Sequence, residues 1–424
     1  MTLYYSRFKT IGFAAIVFAA FLCFCPTECV YIKVLLKELN LTELNELSFS
    51  SGNGLIIDVK KPSEKKQTYY FKSTAHFSIK QNKLFLNNQF FKTVNIRIRP
   101  IDGHLQYNHG DYYGTFYIIC EQEHVQLINK LDLEDYVHSV LHTESWPGWP
   151  LEVNKVMAIA IRTYALRKIL DARKLHRPYH IKNSNIHQTY YGFRYSNDIH
   201  RQAVDETSGI FLAYNGQPIA AMYDSCCGGI SPAKVDSKAV GIDFKEAPYL
   251  ARKRVCTFCK DCKTYSWHFE ISSKEFERKL AAEFPDIKKI ISISIHKKDN
   301  AGLVQSVIIH TAKKDYILSN KKLYSLFKQI KSSVYTVTKK RNNFIFSGNG
   351  LGHHLGLCQW GAYKMAELGW PYKRILRFFY EDISFMKLCS TQQQEDTLTT
   401  DESEEAVNKK HPIDTSLISE KLLL

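Results

Sequence analysis

From Val30 to about Cys120 the chain alternates short apolar runs with turn residues. The runs IKVLL, GLIIDVK, FKTVNIRIRP and YGTFYIIC are rich in β-branched and aromatic residues and are separated by Gly, Asn and Asp, a pattern that predicts a β-rich segment. A further predicted strand, HVQLIN, leads into LEDYVHSVLHTE, where Leu133, Val137, Val140 and Leu141 recur at helical spacing. A longer helix is predicted from Pro150 to about Arg173, since Val153, Met157, Ala160, Ile161 and Tyr164 share one face and proline suits a helix start. The polar stretch HRPYHIKNSNIHQTYYG then reads as an irregular loop, Arg201 to Ser208 as another helix, and IFLAYNGQPIAAMYDS as a hairpin turning at Asn215-Gly216.

From about Lys263 to Arg341 a separate pattern appears: a charged helix, SKEFERKLAAEF, the strands IISISIHK, VQSVIIHTA and DYIL, and a short helix, NKKLYSLFKQI. This predicts a small α+β insertion, after which the chain returns through a glycine-rich stretch and two short helices punctuated by Gly369 and Pro371. The expected architecture is α+β, a mixed α/β body with a smaller α+β insertion domain, the two forming a groove. The expected organisation is a leader or anchor over 1–29, a β-rich part of the body over 30–120, its core over 121–262, the insertion over 263–341, a glycine-rich groove element over 342–389, and an acidic tail over 390–424. The tail is polar and aromatic-free and is expected to be disordered.

Charge and composition sharpen this picture. The 424 residues carry a formal charge of +15. The tail beyond Ser390 holds eight acidic and three basic residues, so the rest of the chain carries about +20. A basic body implies an anionic partner, or charge that serves solubility. No zinc-finger spacing or aromatic-interleaved RNA motif is present, so nucleic acid is not the expected partner. Arg7 and Lys9 precede an uncharged apolar run from Ile11 to Cys25 that ends at Pro26. This is signal-peptide length and short for a membrane span, and it predicts export, with cleavage and retention as an anchor both open. In that compartment disulfides are permitted.

Three stretches carry candidate chemistry. Glu144 follows an apolar helix face and is flanked by Trp146, Pro147, Trp149 and Pro150. A carboxyl in a desolvated, aromatic setting is raised toward neutrality, as a general acid requires. Five cysteines fall between positions 226 and 262, in DSCCGG and CTFCKDC. Cys227, Cys256, Cys259 and Cys262 make a plausible structural zinc set, and a pair of disulfides is the alternative. In GNGLGHHLGLCQWGA, Gly350, Gly352 and Gly356 allow close backbone approach, Gln359 offers hydrogen bonds to hydroxyls, and Trp360 offers a face for a sugar ring. The His353-His354 pair is not metal spacing by itself.

These stretches, LEDYVHSVLHTE, the RTYA of the long helix, the CCGG segment and GHHLGLCQWGA, resemble in order and spacing the SpoIID family of sporulation and division proteins, over about Val30 to Cys389. The resemblance implies a peptidoglycan lytic transglycosylase with Glu144 as acid/base. One carboxyl is then enough, because the C6 hydroxyl of the muramyl sugar attacks and leaves a 1,6-anhydro end, whereas ordinary glycosidases need two. It also implies peptidoglycan glycan, with or without its stem peptides, as substrate, and amidases or division proteins as partners. Members can carry zinc near the groove. Arg162 and His353 match family residues; Arg162 suits a clamp for a substrate carboxylate or a salt bridge to a nearby acid. Tyr164 matches as well and lies on the apolar face. Glu134 and Asp135 match the family's acidic pair and read as structural. The chain departs from the pattern at Asp224, where His is common, and at His354, Cys358 and Trp360, where Gly, Ser and Tyr are usual. A non-catalytic wall-binding scaffold and a zinc-dependent hydrolase using His353 are the rival readings.

Overall fold

The structure is a computed structural model that describes residues 30–388 apart from 41–45, 62–64, 81–82, 87–88, 92–93, 122–123 and 185–186. The expected leader and acidic tail lie outside the described residues. The fold is α+β, as the alternation of patterns predicts.

The β-rich first part forms two sheets. In the seven-stranded sheet, Tyr31–Asn40 pairs antiparallel along its length with His124–Asp132, which pairs in turn with Thr115–Glu121. The six-stranded sheet is built around Glu46–Ser50 and Thr74–Lys80. The two sheets share one core, in which Phe49 packs on Phe77, Tyr107 and Phe116.

The strand His124–Asp132 runs straight into helix α1, Leu133–Glu144. Asp132 caps α1 by accepting from the Glu134 N–H at 2.7 Å, which satisfies one of the orphan donors of the first turn. Helix α2, Leu151–Lys174, starts directly after Pro150, whose side chain makes no cap. Fifteen of its 24 residues are buried, so it is packed on nearly every side and forms the axis of the body. Helix α3, Asp198–Glu206, capped by Asn197, packs across both α1 and α2. The Asn215-Gly216 turn joins Ile210–Tyr214 to Gln217–Pro218, with both turn residues at positive φ, as a tight hairpin requires.

The insertion has its own apolar core around Phe276, Val307, Phe327 and Phe344. It holds two three-stranded sheets, one of Ile290–Lys298, Val304–Thr311 and Asp315–Ser319, the other of Ser266–Ser272, Tyr335–Lys340 and Asn343–Asn349. Asn343–Asn349 is the middle strand of its sheet, so the insertion reaches about residue 349 instead of ending at 341. Its alternation, with Phe344 and Phe346 inward, completes the small core. The insertion meets the body through Val235, Leu303 and Leu355. Among the described residues no helix is long and apolar enough to cross a membrane.

Candidate active site and metal site

Glu144 is the last residue of α1. The helix dipole is negative there, so the position disfavours a carboxylate. Burial pushes the carboxyl above its ordinary range, opposed by one hydrogen bond, from the Thr189 N–H to Oε1 at 3.2 Å. Among the described residues no cation contributes to holding it ionised. The carboxyl is therefore kept protonated to higher pH than a free glutamate, as a proton donor needs.

Two segments hold this residue. The irregular stretch after α2 folds back over the end of α1, where Thr143 donates to the Thr189 carbonyl at 2.8 Å and Thr189 returns its N–H to Glu144. Gln188 accepts from Tyr136 at 2.9 Å beneath it, and Tyr190 donates to Asn129 at 2.6 Å. The hydrophobic pattern gave no sign of these residues, because they lie in a loop with no periodicity. On the other side Gln359 donates to the Glu144 carbonyl at 2.9 Å. Gln359, expected to offer hydrogen bonds to sugar hydroxyls, is instead buried with its amide bound to the Glu144 backbone.

An aromatic group adjoins the same place. Trp146, two residues past Glu144 and 55% exposed, lies 6.1 Å from Trp360, centroid to centroid. Trp149 meets Trp360 edge-on and stacks on Tyr363 at 5.3 Å. The partly buried Trp360 is thus held among Trp146, Trp149 and Tyr363.

Five other residues of the family-like motifs are engaged within the chain. Arg162 is fully buried; it forms a two-pronged pair with Glu134, at 2.8 and 2.5 Å, and donates to the Ile210 carbonyl at 3.1 Å. Of its two candidate roles the structure takes the salt bridge, with the guanidinium fully buried against Glu134. Gly352, at φ 130°, and Gly356, at φ 70°, leave room that the chain itself occupies: an added Cβ would lie 2.3 Å from Asp224 Cβ and 2.1 Å from the Met222 carbonyl oxygen. They let this segment press against residues 222–224 and do not open toward a ligand. His353 has both ring nitrogens occupied, Nε2 donating to the Tyr223 carbonyl at 3.0 Å and Nδ1 accepting from the Leu355 N–H at 3.1 Å. Burial pushes it down to about 4, so it is neutral. Tyr164 is buried, with its hydroxyl in a 3.0 Å hydrogen bond to His187.

The cysteines converge, with one exchange. The sulfurs of Cys227, Cys256, Cys259 and Cys358 all lie within 4.8 Å of one another, and all four residues are buried. Cys358 takes the place expected of Cys262, whose sulfur is instead hydrogen-bonded to Thr264 Oγ1 at 2.9 Å. The exchange follows from the parallel pairing of Tyr223–Asp224 with Leu357–Cys358, which brings Cys358 onto Cys227 across 131 residues of sequence. The donor set fits a soft divalent metal. The Cys227–Cys259 sulfur separation of 3.7 Å equals the edge of a tetrahedron with metal–sulfur bonds of about 2.3 Å. Cys358 Sγ also accepts N–H bonds from Cys227 and Gly361, each at 3.3 Å, as a metal-bound thiolate would. The four cysteines can hold a metal ion.

Cys358 is also the N-cap of the helix Gln359–Glu367, so the residue that would ligate a metal precedes the residue that grips Glu144. Asp224, where the resemblance leads one to expect histidine, is buried and outside the four. Its Oδ2 accepts the His354 N–H at 2.6 Å, and burial raises it well above the usual carboxylate range. His354 stands at φ 68°, which accounts for glycine being usual there.

Comparison with known proteins accords with this geometry. The family described as Stage II sporulation protein, SpoIID, matches residues 121–214, the segment that holds α1, Glu144 and α2. A protein of Brachyspira hyodysenteriae without an assigned role is 32% identical over 278 residues, covering 65% of this chain and 72% of that protein. The chain belongs to the SpoIID family. The Bacillus subtilis stage II sporulation protein D is 23% identical over 269 residues, 60% of this chain and 75% of the relative. The amidase enhancer of the same organism is 25% identical over 372 residues, 74% of this chain but only 50% of the relative. A second family, a domain of unknown function, matches residues 250–356, close to the observed extent of the insertion. Membership in this family gives the protein a cell-wall-related role.

Proposed function

We propose that this SpoIID-family protein is an exported lytic transglycosylase that cleaves peptidoglycan between muramyl and glucosaminyl sugars. The observation that carries the reading is Glu144: a carboxyl at a helix C-terminus, raised by burial and held by a single N–H, two residues before the exposed Trp146. In the proposed mechanism the protonated Glu144 gives its proton to the glycosidic oxygen as the bond to the muramyl C1 breaks. The resulting carboxylate then takes the proton of the muramyl C6 hydroxyl as that oxygen closes on C1. The carboxyl ends as it began, and no water enters the products. Trp360, braced by Trp149, supports a sugar ring, while Gln359 holds the Glu144 backbone and Thr189 its carboxyl.

Zinc is the metal that best suits four thiolates, held by Cys227, Cys256, Cys259 and Cys358. When bound it would supply structure only, since four protein ligands leave no open position for water or substrate. The same point disfavours a zinc-dependent hydrolase, as does the occupation of both His353 nitrogens. A second reading, that the chain binds the wall and stimulates an amidase, draws on the name of the Bacillus subtilis relative. Export rests on the apolar segment ending at Cys25.

The test is Glu144→Gln, which keeps shape but cannot deliver a proton. It should lose about 10²–10⁴-fold in glycan cleavage while still binding glycan. Retention of cleavage by this variant would leave only the wall-binding reading.

A further inference from the structure

Away from Glu144, two adjoining surface concavities of about 450 and 380 Å³ share Arg254 and Arg377 as lining residues. The smaller is lined by Arg254, Trp370, Lys373, Arg374, Arg377 and Phe378, with Pro371 at its edge, and by no acidic residue. The larger adds Glu381 and Asp382. Three features separate this cleft from an ordinary solvated basic face.

Each guanidinium is braced by a ring. Arg374 lies 3.8 Å from the centre of the Trp370 ring, Arg377 5.1 Å from Phe385, and Arg254 5.8 Å from Phe378. Trp370 is itself fixed edge-on against Phe258 and Phe378. Stacking on a ring uses the flat face of a guanidinium and leaves its N–H edge free and oriented. The charges also go largely unanswered. Arg254 has one carboxylate, Glu381, at 3.5 Å, and Lys373, Arg374 and Arg377 form no salt bridge among the described residues. Behind the wall, Arg252 is fully buried between Phe378 and Phe379, hydrogen-bonded to the Arg254 carbonyl, with Nε and Nη2 lacking a hydrogen-bond partner. A buried cation without a counter-charge favours an anion nearby.

We infer that this cleft, built on the helix Tyr372–Phe379 and the strand-free segment at Arg254, is a binding site for a multiply charged oxyanion. Arginine forks and anion oxygens match in pairs, so phosphate groups and clustered carboxylates share the required chemistry. Neither Glu144 nor the four cysteines line the cleft, so the site is independent of the transglycosylase reading.

The experiment is calorimetric titration of the metal-replete protein with inorganic pyrophosphate and, separately, with citrate. The wild type should bind at least one of them saturably; the tighter of the two shows whether the source is phosphate-bearing or carboxylate-bearing. Arg374→Ala/Arg377→Ala, both exposed positions, should weaken that binding at least tenfold. Lys297→Ala/Lys298→Ala, which removes the same charge from the insertion, should leave it unchanged, as should Glu144→Gln. No saturable binding by the wild type, or equal weakening by the two double variants, overturns the assignment.

Discussion

Helix α1 presents a glutamate near each end, and the fold treats them in opposite ways. At the first turn Glu134 accepts two bonds from the Arg162 guanidinium and a third from the Gly209 N–H at 3.1 Å, and the helix dipole favours its charge. At the last residue Glu144 accepts one long bond from Thr189, on the side of the dipole that opposes charge, and burial raises it. One carboxylate accepts three bonds, the other only one. Both lie in stretches that match the family pattern, Glu134 read there as structural and Glu144 as the acid/base. What separates them is the supply of donors, and the residue proposed for proton transfer is the one where that supply is short.

Four perturbations break or sharpen this contrast, in falling order of effect. Removing metal from the four-cysteine site with a chelator, or replacing Cys256 by Ser, should destabilise the body most, because a structural zinc–thiolate site contributes on the order of 10 kcal/mol of binding free energy. Thermal unfolding with and without chelator, alongside elemental analysis, reads this out; a protein that holds no metal and unfolds identically would remove the site. Arg162→Met strips Glu134 of its partner and should cost about 3 kcal/mol, since the other charge is left partly buried and unpaired. Denaturant titration checks it. If Arg162 also touched substrate, KM would rise for the folded fraction, whereas the buried pair predicts no change. Gln359→Leu loses the bond to the Glu144 carbonyl, worth about 1 kcal/mol, and should lower kcat with KM nearly constant.

The smallest effect is a pH-dependent gain. Because the folded protein holds the Glu144 proton to higher pH than the unfolded chain, stability falls as pH rises through the interval between the ordinary and the raised value. Glu144→Gln removes that loss, so it should be more stable than wild type at neutral pH, and the difference should vanish below the ordinary glutamate range. Unfolding curves at both pH values decide this. A variant less stable than wild type at neutral pH would mean that Glu144 is answered like Glu134.

Much of this was legible along the chain. The apolar spacing of Leu133, Val137, Val140 and Leu141 marks α1, and the long run to Arg173 marks α2. Asn215-Gly216 marks its hairpin, and the change of pattern at Lys263 marks the insertion. Glu144 stands out through its tryptophans. Pairings that join distant segments were not legible. Cys358 replaces Cys262 because a two-residue parallel pairing, invisible to spacing rules, carries it to Cys227. Thr189, Gln188 and Tyr190 support the site from a stretch with no period. Arg162, Gly352 and Gly356 carry family-like motifs, yet their surroundings show that the fold itself consumes them. A motif states which residue types are present, while burial and the count of partners state whether each is still free to act.

In the proposed reaction one carboxyl, Glu144, performs every proton transfer, with the muramyl C6 hydroxyl as nucleophile. Mass spectrometry of glycan digested by the purified metal-replete protein tests it most directly. The account predicts 1,6-anhydromuramyl ends, absent with Glu144→Gln. Reducing muramyl ends from the wild type would mean that water attacks, and would contradict it.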